Sequence, residues 1–320
     1  MADVSTELLS DVGEFGLVRA LAEVFVQGPG VVVGPGDDGA VLAVPSGQVV
    51  VSTDLHVDGR HFRRDWMSAD EIGHKVAAAN LSDINAMGGT ATALTVGLAA
   101  PPSLEVSWVL DLARGIADEA SLVAASVVGG DLTAADEVLI SVTALGVADR
   151  PVLRSGAQPG DVVALAGRQG WAAAGLAVLK RGFRSPRVLV EAYKRPTPPY
   201  LSGPVAATLG ATALIDVSDG LLADAGHIAA ASGVHIDIDS SRFEIDEPLV
   251  AVGAALGTDP LRFVLTGGDD HALVATFPAS VRLPDEWRVI GSVTARSEQE
   301  TVGVSVDGAA YEGPAGHTHF

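Results

Sequence analysis

No cysteine occurs among the 320 residues. Disulfides and thiolate metal sites are therefore excluded, and a reducing compartment is compatible with the chain. Positive charge is scarce too. Twenty Lys and Arg stand against 40 Asp and Glu, a formal net charge of −20, and only Lys75, Lys180 and Lys194 are lysines. A protein that grips a nucleic-acid backbone needs the opposite sign, so nucleic acid is not an expected partner. No Gly-x-x-x-x-Gly-Lys-Ser/Thr loop is present, and no Gly-x-Gly-x-x-Gly follows an expected strand. Apolar runs of about 18 residues without a charge or a Gly/Pro break are missing, so no membrane span is expected. Met1 to Val4 lack the basic start and apolar run of a signal peptide, and the expected location is cytoplasmic.

What is present suits an α/β protein with a sizeable core. Hydrophobic residues make up 48% and charged residues 19%, and the length accommodates two domains. Aromatics contribute only 5%; Ala, Val, Leu and Gly fill the layers instead. Most of the acid serves solubility. If so lysine-poor a chain handles phosphates, metal ions must bridge its carboxylates to them, and Mg²⁺, with its oxygen ligands, is the natural choice.

The acidic stretch Gly34-Pro35-Gly36-Asp37-Asp38-Gly39-Ala40 is a poor helix and a poor interior strand. Alone it reads as a surface turn. The pattern recurs, however, in Ser52-Thr53-Asp54, Asn80-Leu81-Ser82-Asp83, Gly129-Gly130-Asp131, Asp216-Val217-Ser218-Asp219-Gly220 and Gly267-Gly268-Asp269-Asp270. Each lies beside an apolar run, which suggests carboxylates gathered at the ends of core elements, where rigid scaffolds present functional groups.

Hydrophobic spacing predicts a first helix over 13–26, with Phe15, Val18, Leu21 and Phe25 on one side. Short strands follow at 41–44 and 48–52, the second ending in Ser52-Thr53-Asp54. A helix over 68–87 is announced by Ser68 and Glu71, a capping box. Its stripe Ile72, Val76, Ala79 and Asp83 puts a carboxylate on or next to the apolar face, which is costly unless a cation meets it. Strands over 92–98 and 137–147 flank a helix over 104–125 and a strand at Val127-Val128 ending in Asp131. The first domain is expected to span 1–148 and the second 149–320. Arg154, beside Ser155-Gly156, reads as an ordinary surface Arg or a phosphate contact. The second half reads as strand 162–166, helix 171–180, an ambiguous Pro- and Arg-rich stretch 182–200, helix 203–209, strand 213–215 and helix 221–231. Strands at 234–238, 272–277, 289–293 and 302–306 follow, with a turn at Asp307-Gly308. Ser218 or Asp219 could serve as an N-cap, but capping explains one aspartate and not both.

Asp83 and Asp131 are 131 − 83 = 48 positions apart; Asp219 and Asp269 are 269 − 219 = 50 apart. The recurrence of two signatures at nearly one separation predicts that the halves place acidic corners equivalently.

Taken together and in order, these motifs, with Gly59-Arg60-His61-Phe62, Met87-Gly88, Arg154-Ser155-Gly156 and Pro159-Gly160-Asp161, resemble those of the thiamine-monophosphate kinase family. That family lies within the aminoimidazole-ribonucleotide synthetase superfamily, and the likeness runs from the first helix to the last residues. It implies a mixed α/β, two-domain fold and a homodimer formed through the N-terminal sheet. It also implies ATP- and Mg²⁺-dependent conversion of thiamine monophosphate to thiamine diphosphate, with several ions per site. On the family pattern Mg²⁺ falls to Asp38, Ser52, Thr53, Asp54, Asp83, Asp131, Asp216 and Asp219, of which Asp54, Asp83 and Asp216 are the catalytic candidates. ATP falls to Gly130, Asp131, Arg154 and Ser218. Substrate falls to His61, Asp269 and a C-terminal ring, His317 or Phe320, with Tyr311 as a further option. The chain departs from the pattern at Asp269, where Glu is usual, at His271, where Tyr is common, and at His317, where an aromatic ring usually stands.

A phosphate-monoester acceptor is already anionic near neutral pH and needs no strong general base. Positioning and charge neutralisation are the main requirements, and direct in-line transfer without a phosphoenzyme is expected. The alternatives are another ATP-dependent enzyme of the superfamily, or a non-catalytic divalent-metal-binding protein. The lack of Cys argues against selenophosphate synthetase and hydrogenase-maturation relatives. No Asp-x-Asp-x-Asp-Gly loop with Glu at its twelfth position supports the metal-binding option.

Overall fold

Val, Ile and Ala alternate or run together in the sequence wherever the chain crosses a sheet, and two sheets carry most of the fold. The computed structural model describes residues 8, 9, 11, 17, 20, 21, 23–33, 41–44, 49–295 and 302–317. Its contacts divide the chain into one unit of residues 1–84 and 90–149 and another of 85–89 and 150–320.

In the first unit, β1 (Val31–Val33) and β2 (Val41–Leu42) pair antiparallel. Then come β3 (Val50–Val57), α1 (Ala69–Ala86), β4 (Thr90–Ala100), α2 (Val106–Ser121), β5 (Ser126–Ala134) and β6 (Leu139–Val147). The four-stranded sheet has the order β3-β6-β4-β5. Only β4 and β5 run parallel, and α2 supplies the crossover that parallel strands require. Along β6, Ile140, Val142 and Ala144 are buried, with less buried residues between them, the period of two expected of a strand. The capping box forms: Ser68 N donates to Glu71 Oε2 (2.8 Å) and Glu71 N to Ser68 Oγ (3.3 Å). Ile72, Val76 and Ala79 are buried along α1.

Two expectations are corrected here. Ser52-Thr53-Asp54 lies inside β3, not at a strand end, because β3 runs on to Val57 along its partner β6. Gly129-Gly130-Asp131 likewise lies inside β5. A bulge at Val128 shifts the register, so Val127 pairs with Leu94 while Gly129 pairs with Thr95. Of the expected first helix, Leu17, Ala20, Leu21, Glu23 and Val24 are helical; Phe15 and Val18 fall outside the described residues, as does the acidic loop 34–40.

The second unit contains β7 (Asp161–Ala166), α3 (Trp171–Lys180), α4 (Arg187–Lys194), α5 (Ser202–Leu209), β8 (Ala213–Asp216), α6 (Leu221–Ser232) and β9 (His235–Ile238). It continues with α7 (Glu247–Leu256), α8 (Pro260–Thr266), β10 (Leu273–Pro278), β11 (Trp287–Thr294), β12 (Gly303–Val306) and β13 (Ala309–Ala310). The strand order is β13-β12-β9-β11-β7-β10-β8. Its core includes Ala164, Leu214, Leu273, Ala275 and Phe277, with Phe277 edge-on to Trp287 at 5.3 Å. Asp307 and Gly308 both have positive φ, 53° and 75°, as a tight turn between β12 and β13 requires. The ambiguous stretch contains α4. The sequence reading passes over α7, although Asp246 at its N-cap, Pro248 in its first turn and Gly257 in the left-handed conformation mark both its ends.

The expected equivalence of the two halves does not hold. Asp83 is inside a helix and Asp131 inside a strand, whereas Asp219 precedes a helix and Asp269 follows one. Near-equal spacing arose on non-equivalent elements. No single helix among the described residues is long and apolar enough to cross a membrane, and the pair α7 and α8, which together meet that test, is bent by 108°.

Candidate functional site

In the first unit the site starts from alternation on β3. Ser52, Asp54 and His56 share one face, while Val51, Thr53 and Leu55 occupy the other. Ser52 Oγ donates to Asp83 Oδ2 at 2.5 Å. The Asp54 backbone N–H donates to Asn80 Oδ1 (3.1 Å), and Asn80 Nδ2 donates to Val76 O (2.8 Å) one turn back. Asn80 and Asp83, three apart on α1, thus both face β3. The fold brings Ser52, Asp54, Asn80 and Asp83 together. It turns Thr53 away: its side chain is exposed on the opposite face, with Oγ1 2.7 Å from Thr143 Oγ1. Asp131 is exposed on β5, three strands from β3, roughly 14 Å at ~4.8 Å per strand. Beside it, a Cβ on Gly130 would lie 1.9 Å from Val96 O, so the close approach of β4 and β5 requires glycine there. His61 Nδ1 accepts from Val57 N (3.0 Å), and its ring meets His56 edge-on at 5.9 Å.

In the second unit three segments converge at the end of β8. Asp216 is the last residue of that strand. His271 N donates to Val217 O (3.2 Å), Asp269 N to Ser218 O (3.1 Å) and His317 N to Asp219 O (2.9 Å). Asp216, Ser218, Asp219, Asp269 and His317 are thereby gathered. Glycine makes the contact possible, since a Cβ on Gly268 would lie 1.9 Å from Ser218 O. Asp269 and His271 hold φ of 67° and 54°, conformations that cost free energy in non-glycine residues and persist where surroundings enforce them. His271 Nδ1 lies 3.1 Å from Asp216 Oδ2, both side chains being buried.

Two carboxylates to which the motif reading gave no role organise these loops: Asp224, which lies outside every motif, and Asp270, which lies within Gly267-Gly268-Asp269-Asp270. Asp224, on the apolar face of α6 and 2% exposed, accepts through Oδ2 from the backbone N–H of Ser218 (3.1 Å), Asp219 (3.1 Å) and Gly220 (3.0 Å). Neither Ser218 nor Asp219 caps α6; Gly220 occupies the N-cap position and Asp224 reaches back to the loop. Burial, opposed by the Gly220 N–H and reinforced by the charges of Asp216 and Asp219, pushes the Asp224 carboxyl up to about 7. Asp270 accepts from Ala172 N with both oxygens at 3.1 Å, at the N-terminus of α3, and lies 3.9 Å from Arg168. Burial also pushes its carboxyl to about 7, against the Ala172 N–H and Arg168. The sequence signal for Asp224 was a carboxylate among Leu221, Leu222, Ala225 and Ile228, a polar group that needs a partner once buried.

Arg154 is exposed, and its turn is held by Ser232, whose Oγ accepts from Gly156 and Ala157 N–H (3.1 Å each). Asp38 and Phe320 lie outside the described residues. Each unit by itself offers hard oxygen donors, Ser52, Asp54, Asp83 and Asp131 in the first and Asp216 and Asp219 in the second. That chemistry fits Mg²⁺. Among the described residues, no three His, Asp or Glu side chains are grouped so as to hold an ion by themselves.

Two family models match the chain, AIR synthase related protein, N-terminal domain, over residues 36–148 and the C-terminal domain over 158–303. A thiamine-monophosphate kinase of Mycobacterium tuberculosis is 44% identical over 98% of this chain and 93% of its own length. One of Corynebacterium glutamicum is 39% identical over 92% and 90%. The solved structure of AaThiL complexed with AMPPCP and TMP matches 98% of this chain and 99% of that one, with a TM-score of 0.80 and 32% identity.

Proposed function

The chain belongs to the thiamine-monophosphate kinase family of AIR synthase related proteins, and from that membership we propose how its residues serve the reaction. It phosphorylates thiamine monophosphate to thiamine diphosphate with ATP as co-substrate. The observation that carries the residue assignment is the joined pair of acidic loops, 216–220 and 267–271, tied through Ser218 O and Val217 O and supported by Asp224.

Asp54 and Asp83 in the first unit and Asp216 and Asp219 in the second are the Mg²⁺ ligands, with Asp131 on a separate strand and Asp38 as a further ligand. Bound Mg²⁺ would neutralise and orient phosphate oxygens. Ser52 holds Asp83 in one rotamer, and Asn80 fixes the β3 backbone at Asp54. Gly130, Arg154 and Ser218 contact nucleotide, while His61, Asp269 and a C-terminal ring contact the acceptor. Because that acceptor is already an anion, these residues position two polyanions and withdraw no proton. Transfer is direct and in line. The two domains span 1–148 and 149–320, and the chain forms a homodimer through the outer face of the β3-β6-β4-β5 sheet.

The test is ADP release measured with and without thiamine monophosphate. Release that depends on it is expected, together with loss of most turnover in Asp83→Asn. Metal binding without turnover would favour a non-catalytic binding protein, and a covalently phosphorylated chain after incubation with ATP would overturn direct transfer.

A further inference from the structure

The backbone at His271 is built to present its side chain. Beyond the paired ends of β8 and β10, Val217 N donates to Ala272 O (2.7 Å) and His271 N to Val217 O (3.2 Å), so the chain at 271 is fixed beside Asp216. It is fixed in the left-handed region, with φ of 54°. Glycine adopts that conformation at no steric cost, and a turn alone would be met by glycine. A strained residue that carries a ring points to a role for the ring. Nδ1 lies 3.1 Å from Asp216 Oδ2, and the two side chains are each 6% exposed. An ionised carboxylate only accepts, so Nδ1 carries the proton and donates. Among the described residues no hydrogen bond engages Asp216 Oδ1, and that oxygen is not sealed from water. The two oxygens are therefore unequal, one held and the other open.

We propose that His271 is a positioning residue, which holds Asp216 by Oδ2 and leaves Oδ1 to a divalent cation, so that Asp216 ligates through one oxygen. The inference rests on the reading of Asp216 as a metal ligand. Like charge crowds this corner, since Asp216 and Asp219 both act on Asp224. Repulsion would turn an unheld Asp216 carboxylate away from its neighbours. A ring N–H holds it in one orientation, and hydrogen-bond partners of this kind tune the affinity of the ligands they orient.

Nitrogen-15 spectra of the metal-free full chain are expected to show a proton on His271 Nδ1, the signal being assigned by its loss in His271→Asn. A bare Nδ1 overturns the inference whatever the variants do. Mn²⁺ is then titrated into the full chain in the presence of a non-hydrolysable ATP analogue, with free ion followed by electron paramagnetic resonance. His271→Leu supplies bulk without a donor and is expected to weaken Mn²⁺ binding about tenfold or more. His271→Asn places an amide nitrogen as many bonds from Cα as Nδ1, tolerates a positive φ, and is expected to restore most of the affinity. Equal affinities in the two variants overturn the role. Asp216→Asn separates the two readings. Weakened binding there with normal binding in His271→Leu refutes the positioning role alone, whereas unchanged binding in Asp216→Asn refutes the ligand reading and this inference with it.

Discussion

Asp224 shows how much one carboxylate oxygen can organise. Three backbone N–H groups, on Ser218, Asp219 and Gly220, converge on Oδ2. Alanine leaves them without an acceptor, and each buried orphan costs roughly 1–3 kcal/mol. Asp224→Ala is therefore expected to lower unfolding free energy by about 3 kcal/mol or more in denaturant titrations, and to speed amide exchange at 218–220. Asp224→Asn retains an acceptor oxygen and is expected to lose far less. Equal losses in the two variants would refute the role given to that oxygen. Asp270 makes a pH prediction. Its folded pKa, about 7, stands above the ordinary 3.8. Between those values the native state keeps a proton that the unfolded chain has lost, so rising pH favours unfolding. Its contribution is fully present below about pH 4 and declines as pH rises towards 7. Melting of the metal-free protein across that window should show a shallower pH slope in Asp270→Asn than in the wild type.

Elements decide where the motif residues point. The capping box of α1 and the two markers of α7 were written locally, in residues a few positions apart, and α1 begins where its box says. By contrast, the family resemblance grouped Thr53 with Ser52 and Asp54 as metal ligands. Once β3 extends through all three, alternation sends Thr53 to the other face. Strand extension depends on pairing with β6, distant in sequence, and local composition does not encode it. Gly130 makes the same point for β5. Alanine there would bring Cβ against Val96 O, a backbone atom that cannot rotate away. Gly130→Ala is expected to part β4 from β5, cost roughly 1–3 kcal/mol, and weaken ATP binding through the neighbouring Asp131. Unchanged stability measured by thermal unfolding would argue against so tight a strand approach.

At the scale of the molecule, the outer face of the four-stranded sheet bears on assembly. Val51 and Leu55 are 58% and 57% exposed and, with Thr53, line one side of β3. An apolar sheet face open to water supports the homodimer proposed above. Leu55→Glu would bury a charge in such an interface, so sedimentation should find a dimer in the wild type and a monomer in the variant. A wild-type monomer at micromolar concentration would exclude that assembly.

Composition alone excluded thiolate chemistry and made phosphate handling depend on hard-oxygen ligands. Glycine and aspartate spacing marked most of the loops that carry the candidate site. These features are local, since a missing residue type or a short motif needs no partner to be recognised. Only the tertiary structure decided that Asp54 and Asp83 share a strand–helix contact while Thr53 does not. It also revealed Asp224 and Asp270 as the supports of the acidic loops, and it broke the apparent equivalence of the two halves. Each of those outcomes depends on which distant backbone groups meet, and hydrogen bonds between residues far apart in the chain leave no periodic trace in its sequence.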